Sequence, residues 1–172
     1  MQNCFMEKKD YPRTMCYQCY RPTVACFCHL ASPFKTNFHF RILMHPMEAK
    51  KEPIGTGRLT NYSLKNSKLI IDKDFDDNKE VQAILNDSAF FPILLYPGEN
   101  SININECPVP QHYYSQKTPI IFVIDGTWHC AKSMMRDSRS LHHLPRISFN
   151  PCLLYTSPSP RDATLSRMPS SA

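Results

Sequence analysis

Four of the chain's cysteines crowd into CYQCYRPTVACFC, with two residues between Cys16 and Cys19 and one between Cys26 and Cys28. Two close thiol pairs joined by a short turn can wrap a tetrahedral ion, and Pro22 helps set that turn. Four thiolates suit zinc, and a closed four-sulfur site is structural rather than catalytic. A redox pair is the rival reading, but the strand-then-helix context of such a motif is missing here. A second stretch, FVIDGTWHCAKSMM, ends an apolar run on Asp125 and continues with Gly126, Thr127 and the chain's only tryptophan, Trp128. A carboxylate at the end of a buried strand can act as a general base, and an indole beside it can stack on a nucleobase or adenine ring. The plainer alternative is a helix cap from Asp125 or Thr127 with Trp128 packed in the core.

Two weaker motifs accompany these. GTGR sets Gly55 and Gly57 around Thr56, with Arg58 next. Backbone amides at a glycine turn opening a helix can hold an anion, and Arg58 adds a forked donor for phosphate or carboxylate. A helix start with a solvated arginine reads equally well. HPME puts His45 and Glu48 on what reads as a post-strand loop. The remaining cysteines, Cys4, Cys107, Cys130 and Cys152, are scattered and read as small apolar side chains.

The elements that must position these residues follow from apolar periodicity. FHFRILMHP, KLIID, FFPILLYPG, IIFVID and PRISFN read as strands, the cleanest being IIFVID, whose five consecutive apolar residues suit a strand buried on both faces. GTGRLTNYSLKN, DDNKEVQAILND and CAKSMMRDSRSLHHL read as helices, the last with Ala131, Met134, Met135 and Leu141 facing inward. SININECPVPQHYYSQKTP reads as a polar connection. Strands alternating with helices predict an α/β domain around a mostly parallel sheet. In such sheets ligands bind beyond the carboxyl ends of the strands, so HPME, LYPG and DGTW should gather along one edge.

The whole chain has 172 residues, 42% hydrophobic and 20% charged, which suits one domain with a real core. A net charge of +5 permits an anionic partner such as RNA without demanding one. No apolar run is long enough to span a bilayer, and MQNCFMEKKDYPRT lacks the apolar core of a secretory signal. A cytoplasmic protein with reduced cysteines is the expectation. Residues 152–172, rich in Ser and Pro, lack any strand or helix period. They resemble translated sequencing adapter: the codons of a transposase-adapter end spell CLLYTSPSPRD, and SRMPSSA precedes an in-frame stop. On that reading residues 1–34 form the cysteine-bearing segment and 35–151 an α/β domain cut short of its natural end. This chain as written is then expected to be a poor enzyme.

Taken in order, the cysteine cluster, HPME, GTGRL, LYPG, and DGTW followed by a helix and LPRI resemble the DTW domain family, from Cys16 to about Asn150. The resemblance implies a SPOUT-like sheet with a C-terminal trefoil knot, incomplete here. It also implies a tRNA-uridine aminocarboxypropyltransferase that moves the 3-amino-3-carboxypropyl group of S-adenosylmethionine to N3 of a uridine. Under it Asp125 is the catalytic base. Gly55, Thr56, Gly57, Arg58, Tyr96, Pro97, Gly126, Thr127 and Trp128 face the cofactor. Cys16, Cys19, Cys26 and Cys28 hold zinc. The partner is tRNA, with no membrane and no DNA. A methyltransferase of the same fold class and a non-enzymatic zinc RNA-binding module are the alternatives.

Overall fold

In a computed structural model, residues 14–150 are described, apart from 18, 20, 30, 31, 52–54, 99, 112 and 113. The fold is α/β, and its strands form a single six-stranded sheet in the order β2-β1-β5-β3-β6-β4, with every pairing parallel. The strands are β1 His39–Met44, β2 Ser67–Ile71, β3 Phe90–Leu95, β4 Ile102–Asn103, β5 Thr118–Asp125 and β6 Arg146–Ser148. The helices are α1 Pro46–Lys51, α2 Thr56–Ser63, α3 Lys79–Asn86 and α4 Trp128–Asp137. A short 3-10 turn, Arg139–His143, follows α4.

Local chemistry accounts for the helix boundaries. The Asn78 side chain accepts from the amides of Glu80 and Val81 and starts α3. The Thr127 hydroxyl accepts from Cys130 N and starts α4. α4 turns Cys130, Ala131, Met134 and Met135 inward, at the spacing of one helical face. Leu141 is buried beyond it, so all four residues expected to face inward do so. HPME is not a loop: Pro46, whose missing N–H costs nothing at a first helical position, opens α1 directly after β1. The polar connection also contains β4, two residues too short to show a strand period.

The main core lies on one face of the sheet. Leu43, Ile70, Leu94, Ile120 and Phe122 meet Val81 and Ile84 of α3 and Met134 and Met135 of α4 there. α2 lies against the opposite face, where Gly57 approaches Met44 and Asp125. β5 is central, between β1 and β3, but it is fully buried on one face only. Ile120 and Phe122 are sealed, while Ile121 and Val123 on the α2 side are half-buried. α2 is eight residues long and lies over β1 and β2, so it leaves this part of β5 less covered. The knot implied by the resemblance and the tail beyond Asn150 lie outside the described residues.

Candidate active site and metal centre

β1 hands the chain through α1 to α2 on one face, and the adjacent β5 hands it to α4 on the other. Connections that leave neighbouring strands in opposite directions open a crevice at the strands' carboxyl ends. Met44 and Asp125, the last residues of β1 and β5, are register partners there. The His45 amide donates to the Asp125 carbonyl at 3.2 Å. A cavity of about 270 Å³ opens at this point, lined by Met44, Glu48, Gly55, Thr56, Asp125 and Gly126. HPME and GTGR, close together in the chain, thus meet DGTW, about 70 residues further on, in one place.

Asp125 and Glu48 are the charged groups of that cavity. Glu48, in the first turn of α1, accepts from the Thr127 amide at 3.3 Å. Burial, and then the negative charge of Glu48, push the Asp125 carboxyl above the ordinary carboxylate range. α2 presses close from above: a Cβ on Gly57 would stand 2.2 Å from Asp125 Oδ2 and 3.0 Å from Met44 Cε. Glycine is therefore needed at 57 for close approach, while Gly55 supplies the N-cap of α2. Arg58 is half-buried on α2 and is not among the cavity's lining residues. His45 is 6% exposed, and its Nδ1 accepts from the Met47 amide, which marks it as a satisfied structural residue.

Trp128 is not packed in the core. Its indole is 59% exposed and lies parallel to the Tyr96 ring, with 6.0 Å between centroids and 8° between planes. The Arg146 guanidinium lies over the other aromatic of the pair, Tyr96, at 5.9 Å. Arg146 also lines a larger open cavity of about 640 Å³ with Asn100, His142, His143, Leu144 and Pro145. Pro97 is exposed at the end of β3. Tyr96 thus pairs with Trp128 across two of the motifs and lines neither this larger cavity nor the one at Asp125, meeting the larger one only through Arg146. Lys132 was not singled out from sequence. Its ammonium lies 5.3 Å from the Trp128 ring, and its i+4 spacing from Trp128 was the available signal.

The four cysteine sulfurs lie within 4.8 Å of one another. Cys16 Sγ and Cys28 Sγ are 3.9 Å apart, and Cys19 Sγ and Cys26 Sγ 3.8 Å. These separations are far too long for disulfides. A tetrahedron with metal–sulfur bonds of about 2.3 Å has edges of about 3.8 Å, so two of the six edges already match a bound metal ion and the rest lie within about 1 Å of it. Burial, reinforced by the neighbouring thiols, pushes the Cys28 thiol up to about 12. The cluster is tied to α2: Tyr62 Oη donates to the Cys28 carbonyl at 3.2 Å. Of the scattered cysteines, Cys130 is buried as a small apolar residue and Cys107 is exposed, while Cys4 and Cys152 lie outside the described residues.

Among the described residues, no helix is long and apolar enough to cross a membrane. A family model described as the DTW domain matches residues 13–166, running into the stretch that resembles adapter. A Drosophila melanogaster protein named tRNA-uridine aminocarboxypropyltransferase 2 is 28% identical over 142 residues, covering 78% of this chain and 53% of its own length. A Macaca fascicularis protein of the same name is 28% identical over 141 residues, covering 78% of this chain and 45% of its own. The chain spans about half the length of these curated relatives. No solved structure matches.

Proposed function

The chain belongs to the DTW domain family, and on that premise we propose that it is a tRNA-uridine aminocarboxypropyltransferase. The observation that carries the reading is Asp125, a half-buried carboxylate of raised proton affinity at the mouth of a cavity where β1, β5 and α2 converge. The names of the two relatives support the substrate class.

The chemistry asks for a base. Uridine N3 is a weak nucleophile until its proton leaves, and we assign Asp125 to take it. The raised affinity of Asp125, caused by burial and by Glu48, brings base and imide closer in proton affinity. Glu48 also fixes the backbone just after Asp125 through the Thr127 amide. S-adenosylmethionine, when bound, supplies the 3-amino-3-carboxypropyl group from its sulfonium, so that an N–C bond forms as a C–S bond breaks. Gly55, Thr56, Gly57, Arg58, Tyr96, Pro97, Gly126 and Thr127 are the residues we assign to holding it. The 640 Å³ cavity lined by Arg146 falls within the size range of ordinary ligand pockets, whereas the 270 Å³ cavity at Asp125 falls below it. The reacting end therefore belongs at Asp125. Zinc held by Cys16, Cys19, Cys26 and Cys28 would supply structural cross-linking.

The test uses tRNA and S-adenosylmethionine labelled either in the methyl group or in the aminocarboxypropyl chain, with nucleosides read by mass spectrometry. Chain label on uridine is expected. Methyl label on uridine would replace the proposal with a methyltransferase, and RNA binding with neither label would leave a non-enzymatic zinc RNA-binding module.

A further inference from the structure

α4 carries an outer stripe that proton removal at Asp125 does not use. Trp128, Lys132 and Arg136 recur every fourth residue and so share one line along the helix. All three are exposed, opposite the buried Cys130, Ala131, Met134 and Met135. The stripe is about 12 Å long and starts at Trp128, two residues after Gly126, which lines the cavity at Asp125. Arg136 is paired with Asp137 at 2.9 Å, but among the described residues no carboxylate lies within ion-pair distance of Lys132. The indole is held flat by its stack on Tyr96 while remaining mostly open to solvent.

A mostly exposed aromatic ring, with a cation over it that no carboxylate among the described residues neutralises, is complementary to a nucleotide. The base adds to the stack, and the phosphate takes the ammonium. We propose that Trp128 and Lys132 bind an unpaired nucleotide flanking the target uridine, which would restrict the acceptor to single-stranded RNA. The proposal rests on the reading above that the acceptor is RNA. Bases inside a duplex already stack on both faces and cannot offer one to Trp128.

Trp128 is the chain's only tryptophan, so its fluorescence reports this position alone. The experiment titrates the full chain, without S-adenosylmethionine, with a uridine-rich single-stranded RNA and with a duplex of equal length. Quenching by the single strand and much weaker quenching by the duplex are expected. Trp128→Leu, followed by the anisotropy of labelled RNA, should weaken binding about tenfold or more. Lys132→Gln should weaken it too and should flatten the salt dependence by about 0.7 in the logarithmic slope. Equal quenching by both RNAs, or an unchanged affinity and slope in Lys132→Gln, overturns the proposal. Uridine transfer with an unperturbed Trp128 overturns it while the reaction stands. Selective quenching without transfer supports it while the reaction falls.

Discussion

Asp125 should make the folded chain less stable at neutral pH than an uncharged residue would. Its folded carboxyl is raised above the usual range by burial and by Glu48. The folded state therefore binds the proton more tightly than the unfolded state. The stability linked to that proton is fully present below about pH 3.9, the ordinary value, and is lost as pH rises through the raised value. Asp125→Asn removes the charge at nearly constant size. A higher melting temperature at pH 7, converging on the parent below about pH 3.9, is the expected result, together with loss of transfer. A mutant melting lower than the parent at pH 7 would show that the carboxylate is stabilising and that its burial has been misjudged.

At the scale of elements, one residue of α2 and one of the segment before α3 make contacts whose loss can be measured. Gly57 lets α2 close on Asp125. Gly57→Ala would gain about 1 kcal/mol of intrinsic helix propensity, yet its methyl group would collide with Oδ2. The least costly relief is rotation of the Asp125 carboxylate away from its place in the cavity. Transfer is therefore expected to fall on the order of a hundredfold, with the melting temperature changing little; full activity in this variant would remove α2 from the site. Asp76 does a structural task. Its carboxylate accepts from the Arg139 amide at 2.8 Å, the Ser140 amide at 2.9 Å and the Ser140 hydroxyl, anchoring the turn after α4. Burial opposes its charge, but these hydrogen bonds prevail and hold it below the ordinary value. Its contribution is present above the ordinary carboxylate value and is lost as pH falls through the lowered one. Asp76→Ala should cost about 1–3 kcal/mol in denaturant unfolding near pH 7, with the deficit shrinking in acid.

For the molecule as a whole, the cysteine cluster and the cavity are linked through α2. Phe34 exchanges backbone hydrogen bonds with Ser63 and Lys65, and Tyr62 reaches the Cys28 carbonyl. Gly57 sits against Asp125 near the other end of the same helix. Folding of such a cluster is coupled to its metal. Purified chain is expected to carry about one zinc, the stoichiometry of a four-ligand site. A strong chelator, or Cys19→Ser, should raise hydrogen exchange in residues 14–29 and in α2 while β1 and β5 stay protected. Unchanged exchange on metal removal would make the cluster a bystander.

The sequence by itself determined what depends on neighbours along the chain. The apolar runs marked five of the six strands, the caps at Asn78 and Thr127 started helices, and the cysteine spacing marked a site that can hold a metal ion. It also placed HPME, LYPG and DGTW at the ends of strands that prove to be parallel neighbours. Three further features came only from packing. β5 enters between β1 and β3, bringing Thr127 to Glu48 across a separation of 79 residues. Gly57 looked like an anion-binding glycine and is a point of close approach to Asp125. Trp128 looked equally suited to core or surface, and the parallel Tyr96 ring at the next strand end holds it outside. Periodicity records which face of an element is apolar. It carries no record of which other element that face will meet, because that choice is made by all the burial in the sheet at once.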